Sequence, residues 1–113
     1  MDMEVTALDG EVSCIRLSGR LDATGVDRIE TRFAMATARQ GGKTIVDLSG
    51  VSFIASLGIR LLISSARNAG LKRGKLVLYG ATELVQGVLE QMAIDQIMPI
   101  VASEAKAIEQ AGA

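Results

Sequence analysis

Histidine and tryptophan are absent from this sequence, cysteine, proline and tyrosine occur once each, and phenylalanine occurs twice. Each scarcity closes off some chemistry. Without an imidazole the chain lacks the usual general base near neutral pH and the commonest zinc ligand, and one thiol cannot replace either. Metal catalysis and a catalytic triad are therefore not expected, and a serine without an activating base is a weak nucleophile. The chain reads as a protein that is not an enzyme and that uses no metal or other cofactor. The lone cysteine, Cys14, sits in an apolar strand-like segment. It can form no disulfide within the chain, it suits a reducing compartment, and it reads as a buried small hydrophobe.

Charge of one sign is scarce as well. Twelve Lys and Arg against 13 Asp and Glu leave a net charge of −1, with no basic stripe able to neutralise several phosphates, so direct nucleic-acid binding is excluded. The start, Met1-Asp2-Met3-Glu4, carries acid where a signal peptide carries base. The longest apolar candidate, Leu57 to Ile63, is interrupted by Arg60 and is far shorter than the ~20 residues that cross a bilayer. A cytoplasmic protein with no membrane insertion is expected. Two phosphate-loop lookalikes fail on spacing and context: Gly42-Lys43-Thr44 leads from a helix into a strand with Thr37 five before the glycine, and Gly70 to Lys75 has too few spacers.

What the chain does contain is aliphatic. Hydrophobic residues make up 49% of the 113 positions with only 3% aromatic, which implies a core of Val, Ile, Leu, Ala and Met. The length suits one domain, 1–113, that buries roughly two thirds of its unfolded surface. Met3 to Leu8 and Val12 to Leu17 flank Asp9-Gly10, a pair that tolerates the left-handed backbone of a hairpin turn. Thr24, three residues ahead of Asp27, forms a variant capping box before Val26, Ile29, Phe33 and Ala36, and that helix should stop at Gly41-Gly42.

Lys43 to Leu48 reads as a central strand. A helix follows, from Ser56 to Gly70, with Ile59, Leu62, Ile63 and Ala66 at helical spacing. Lys75 to Tyr79 is a strand, and Thr82 caps a helix that carries Leu84, Val85, Val88, Leu89 and Met92. Ile97 to Val101 is a strand placed at an edge by Pro99, which has no N–H to donate. Ser103 to Ala111 closes the chain as a helix. The order ββαβαβαβα implies an α/β fold whose mixed sheet is mostly parallel, built by right-handed crossovers after one antiparallel hairpin.

Ser56, at a strand-to-helix junction, has two readings from its residues alone. It can cap the helix by accepting from an N–H two or three residues on, or it can carry a phosphate, since a group of about −1.5 to −2 charge suits the positive end of a helix. Gly58 reads as a point of close backbone packing, and Asp22 as a turn or cap residue. Met92 reads as core or a mix of core and rim, and Arg60 and Arg67 as a solvated face.

Taken together, Gly19-Arg20-Leu21-Asp22-Ala23, Ile45 through Ile54 (IVDLSGVSFI), Ser56-x-Gly58-Ile59-x-x-Leu62 and Lys75-Leu76-Val77-Leu78 resemble the STAS domain, specifically the bacterial anti-sigma factor antagonists, over nearly the whole chain. The resemblance implies the STAS fold with helices packed mainly on one face. It implies a partner switch in which the unphosphorylated antagonist binds an anti-sigma factor with a GHKL-type serine kinase domain and frees a sigma factor. Phosphorylation of Ser56 then ends the contact, and a phosphatase resets it. Asp22, Ala55, Ser56, Leu57 and Gly58 become the expected partner-binding residues. Ala55 replaces the family's acid and Leu57 its usual Ser or Thr, which alters what a kinase can recognise and makes the rim stickier for a protein. Two other readings accompany this one: an unphosphorylated subunit of a transporter ATPase or stress-sensing complex, and a nucleotide-binding STAS protein.

Overall fold

The computed structural model describes residues 1–112, apart from the side chain of Asp9; Ala113, the last residue of the expected 1–113 unit, lies outside the described residues. Five strands form one sheet in chain order: β1 (Asp2–Ala7), β2 (Val12–Leu21), β3 (Lys43–Ile54), β4 (Lys75–Tyr79) and β5 (Ile100–Val101). β1 runs antiparallel to β2, and the remaining neighbours are parallel. Helices α1 (Ala23–Thr37), α2 (Ser56–Leu71), α3 (Glu83–Gln91) and α4 (Glu104–Gly112) complete the order expected from the sequence. No helix among the described residues is long and apolar enough to cross a membrane.

Alternation along the strands divides the core in two. Ile15, Leu17 and Leu21 of β2 and Val46 and Leu48 of β3 face α1, α2 and α3, where Ile29, Phe33, Leu62, Val85 and Leu89 meet them. The other face carries Val12, Cys14, Ile45, Val77 and Tyr79 beneath Ala107 and Ala111 of α4. Helices therefore lie mainly on one face, as expected. Cys14 is a free, buried thiol with Sγ 3.5 Å from the Tyr79 hydroxyl, and burial pushes its pKa up. A neutral thiol under α4 is a packing group rather than a nucleophile.

β3 runs well past the expected end at Leu48. Its 12 residues lie against the 10 of β2, and the register slips twice, between Arg16 and Ser18 and between Gly19 and Arg20. At each slip β3 holds one extra residue, a bulge. The first bulge puts Val51 in the same core as Val46 and Leu48, where strict alternation would have put Gly50 and Ser52, and the second restores the original phase so that Ile54 joins them. They also carry β3 far enough for its end to meet that of β2.

Other boundaries move less. α1 stops at Thr37 instead of Gly41-Gly42, with Ala38 as its last capping position, because the Gly41 N–H is committed to the Lys72 carbonyl at 2.7 Å. The hairpin turns through two left-handed residues, Gly10 as expected and also Glu11. The expected strand Ile97 to Val101 shortens to Ile100–Val101, since the N–H groups of Ile97 and Met98 both bond the Ile94 carbonyl in a 3-10 turn. β5 is an edge strand, and the carbonyl of Pro99 accepts from Leu78 at 3.0 Å.

Candidate functional site

β2 and β3 end side by side with Leu21 opposite Ile54, and the Ala55 N–H donates to the Leu21 carbonyl at 3.1 Å. That bond brings two helix N-termini together, because Asp22 precedes α1 and Ala55 precedes α2. Asp22, Ala55, Ser56, Leu57 and Gly58 thus share one edge of the sheet, outside the carboxyl ends of parallel strands, where open α/β folds commonly bind ligands.

These N-termini are finished differently. Asp22 Oδ1 accepts from the Gly25 N–H at 2.9 Å, and Oδ2 lies 3.3 Å from Arg20 Nε. The Gly25 N–H, with help from Arg20, holds the Asp22 carboxyl below its ordinary pKa, so the cap is ionised at neutral pH. Asp22 therefore caps α1 in place of the expected Thr24, which lies within the first turn. Gly25 is required there, since a Cβ would collide with the Arg20 carbonyl.

No side chain caps α2. Ala55 holds the extended cap position at φ −114° and ψ 177°, and its methyl group has nothing to accept with. Ser56 is the first helical residue and is exposed. Its expected role as the cap is thereby corrected, because a capping hydroxyl has to project from the extended residue before the first turn. The Ile59 N–H reaches the Ala55 carbonyl at 3.0 Å, which leaves the N–H groups of Ser56, Leu57 and Gly58 without acceptors inside the helix. The Ser56 hydroxyl therefore stands at the positive end of a 16-residue helix.

Neighbouring residues shape this rim. A Cβ on Gly58 would lie 2.7 Å from the Leu21 carbonyl oxygen and 2.8 Å from Leu21 Cγ, so glycine lets α2 press against the end of β2, as its sequence reading implied. Leu57 is 40% exposed, an apolar side chain beside the serine. Arg60 and Arg67 are exposed along α2, in keeping with a solvated face. Met92 is 54% exposed, which places it on the surface of α3's end and corrects the core reading.

Two residues of the site had no assigned role from sequence. The Arg20 guanidinium lies over the Phe53 ring, 4.3 Å from its centroid, and the two residues are cross-strand partners. Arg20 stands two residues before Asp22 on a strand, so their side chains share a face, and that spacing was the available signal. Phe53 had no such signal, because the strand's alternation breaks before it. An open depression of about 340 Å³, lined by Met1, Arg20, Asp22, Thr24, Gly25 and Arg28, adjoins the rim. Among the described residues no three His, Cys, Asp or Glu side chains are grouped where a metal ion could be held.

The sequence model of the family described as "Mlab, STAS domain" matches residues 5–102. An anti-sigma-factor antagonist (STAS) domain protein from Planctomyces limnophilus is 25% identical, with all of both chains covered and a TM-score of 0.86. The anti-sigma factor antagonist SpoIIAA in its unphosphorylated form is 24% identical over 96% of this chain and 95% of its own, with a TM-score of 0.78. The Bacillus cell fate determinant SpoIIAA in the phosphorylated form is 23% identical over 96% and 98%, with a TM-score of 0.71. The mixed five-stranded sheet with four helices is the fold of these proteins, and this chain belongs to the STAS domain family.

Proposed function

We propose that this chain is an anti-sigma factor antagonist that works by binding, without catalysis of its own, and that phosphorylation of Ser56 ends the binding. The observation that carries this reading is the exposed Ser56 hydroxyl at the uncapped N-terminus of α2, beside the ionised Asp22. The rim offers a partner an apolar contact at Leu57 and Ala55 and a negative one at Asp22. A phosphate on Ser56 adds about −1.5 to −2 charge, which the positive helix end tolerates within the fold. Against an apolar partner surface the same group is desolvated without a counter-charge, and affinity falls. SpoIIAA has been solved in both unphosphorylated and phosphorylated forms, which supports a switch that leaves the fold intact.

In this reading the partner is an anti-sigma factor with a GHKL-type serine kinase domain. A sigma factor is freed while the antagonist is bound, a phosphatase resets Ser56, and the exchange takes place in the cytoplasm. A second reading is favoured by Ala55 and Leu57, which replace the family's acid and hydroxyl. It makes the protein an unphosphorylated subunit of a transporter ATPase or a larger complex. Capture of partners from native lysate with wild type and with Ser56→Asp, with mass spectrometry of the Ser56 peptide, separates the two. The switch predicts a kinase-fold partner retained only by wild type and phosphate on Ser56. An ATPase retained equally by both proteins, with Ser56 never modified, would establish the subunit reading instead.

A further inference from the structure

We propose that α4 is a releasable strap: it undocks from the sheet as a unit while the rest of the fold stays in place, and its release uncovers a second apolar face that holds the Cys14 thiol. The helix has nine residues and is joined to the two-residue strand β5 by Ala102 and Ser103. Its buried residues are two alanines, Ala107 and Ala111, about one helical turn apart, whereas its one large apolar side chain, Ile108, is 37% exposed. Polar contacts tether both ends at the surface. Arg16 lies 3.9 Å from Glu104 in the first turn, and Lys75 Nζ donates to the Gln110 carbonyl at 2.7 Å in the last. Water can replace such exposed contacts at little cost.

What lies beneath the strap is held from the other side. Val12, Cys14, Ile45, Val77 and Tyr79 form the covered face. They stand on β2, β3 and β4, whose opposite face is fixed in the main core by Ile15, Leu17, Val46, Leu48, Leu76 and Leu78. The ladders between these strands do not pass through α4. The sheet therefore keeps its pairing and its larger core when the strap leaves, and a helix this short unfolds once it has lost its packing. An element anchored by small side chains and exposed polar contacts opens at a lower free energy than the whole molecule. The open form presents an apolar face on the side of the sheet away from α2, so its exposure does not depend on Ser56 or its modification. Cys14 reports the opening, because it is the chain's one cysteine and is 1% exposed while the strap is closed.

Thiol labelling and amide hydrogen exchange of the full chain under native conditions test the strap together. With the aromatic disulfide DTNB, the Cys14 thiolate attacks one sulfur, a mixed disulfide forms, one aromatic thiolate is released and the thiol proton passes to the buffer. Relative to unprotected groups, Cys14 labelling and exchange of the Ala107 and Ile108 N–H groups should give the same opening constant, at least about tenfold larger than that of global unfolding and with a shallower dependence on urea. Ala107→Gly should raise both signals roughly fivefold. Ile29→Val, in the opposite core, should speed exchange in β3 and leave both strap signals unchanged. Labelling that follows the β3 amides through urea and through Ile29→Val would overturn the strap, since the thiol would then be uncovered only by global unfolding. Exchange in α4 far faster than labelling of Cys14 would overturn it as well, because the helix would then fray without uncovering the face.

Discussion

A capping hydroxyl projects from extended backbone just ahead of the first helical turn, and in α2 that place belongs to Ala55, so the hydroxyl of Ser56 is not needed for the fold. Ser56→Ala should therefore change unfolding stability by less than about 0.5 kcal/mol, where loss of a true cap would remove about 1 kcal/mol; urea titration checks this. Asp22 is the opposite case. Its folded pKa lies below the ordinary value, so its ionised form stabilises the fold fully above the unfolded value near ~4, and that contribution is lost as pH falls through the lower folded value. Urea midpoints of wild type and Asp22→Ala should differ by a constant amount at neutral pH and converge as acid protonates the carboxyl. Sequence alone could not choose between Asp22 and Thr24 as the cap of α1, because both are good acceptors two residues apart. The choice turns on where the chain leaves β2 and on the space that Gly25 leaves beside Arg20.

The elements most legible in the sequence were those with clean periods. α2 and β4 begin where expected, and Thr82 caps α3 by accepting from the Val85 N–H at 3.3 Å. β3 was read short because its alternation is interrupted twice: Gly50 and Ser52 fall where apolar residues belong, the first bulge brings Val51 into the core instead, and the second restores the phase for Ile54. A two-residue period cannot reveal a strand that changes phase, so the segment aligning Asp22 with Ser56 was the least visible part of the fold. α3 illustrates an element held by packing in spite of its sequence. Gly87 sits inside it, with open space where a Cβ would go. Gly87→Ala should raise stability by about 0.5–1 kcal/mol through helix propensity and a less disordered unfolded chain, read as a higher urea midpoint with an unchanged slope.

Across the whole molecule, the sheet order and the division of helices between faces follow from the chain order, since each strand pairs with its sequence neighbour. The face under α4 is polar at the start of that helix. There Arg16 lies 3.5 Å from the half-buried Asp47 and 3.9 Å from the exposed Glu104, and surface pairs of the second kind contribute little stability. The opposite end of the sheet holds a depression of about 380 Å³ between Glu11 and Arg39, remote from Ser56. The rim at the carboxyl ends of β2 and β3 is where an exposed hydroxyl, an ionised carboxylate, an apolar side chain and an uncapped helix meet. In the proposed switch the phosphate on Ser56 is delivered by a separate kinase, since the chain has no imidazole to activate the hydroxyl.

Whether phosphate on Ser56 ends partner binding is decided by a binding isotherm for the captured partner against three forms of this chain: unmodified, Ser56→Ala, and phosphoserine at position 56. A phosphate-controlled switch predicts that the first two bind alike and that the phosphorylated form binds about 100-fold more weakly, equivalent to roughly 2.8 kcal/mol. Equal affinity of all three forms would contradict it and leave Ser56 an ordinary exposed residue on a constitutive binding surface.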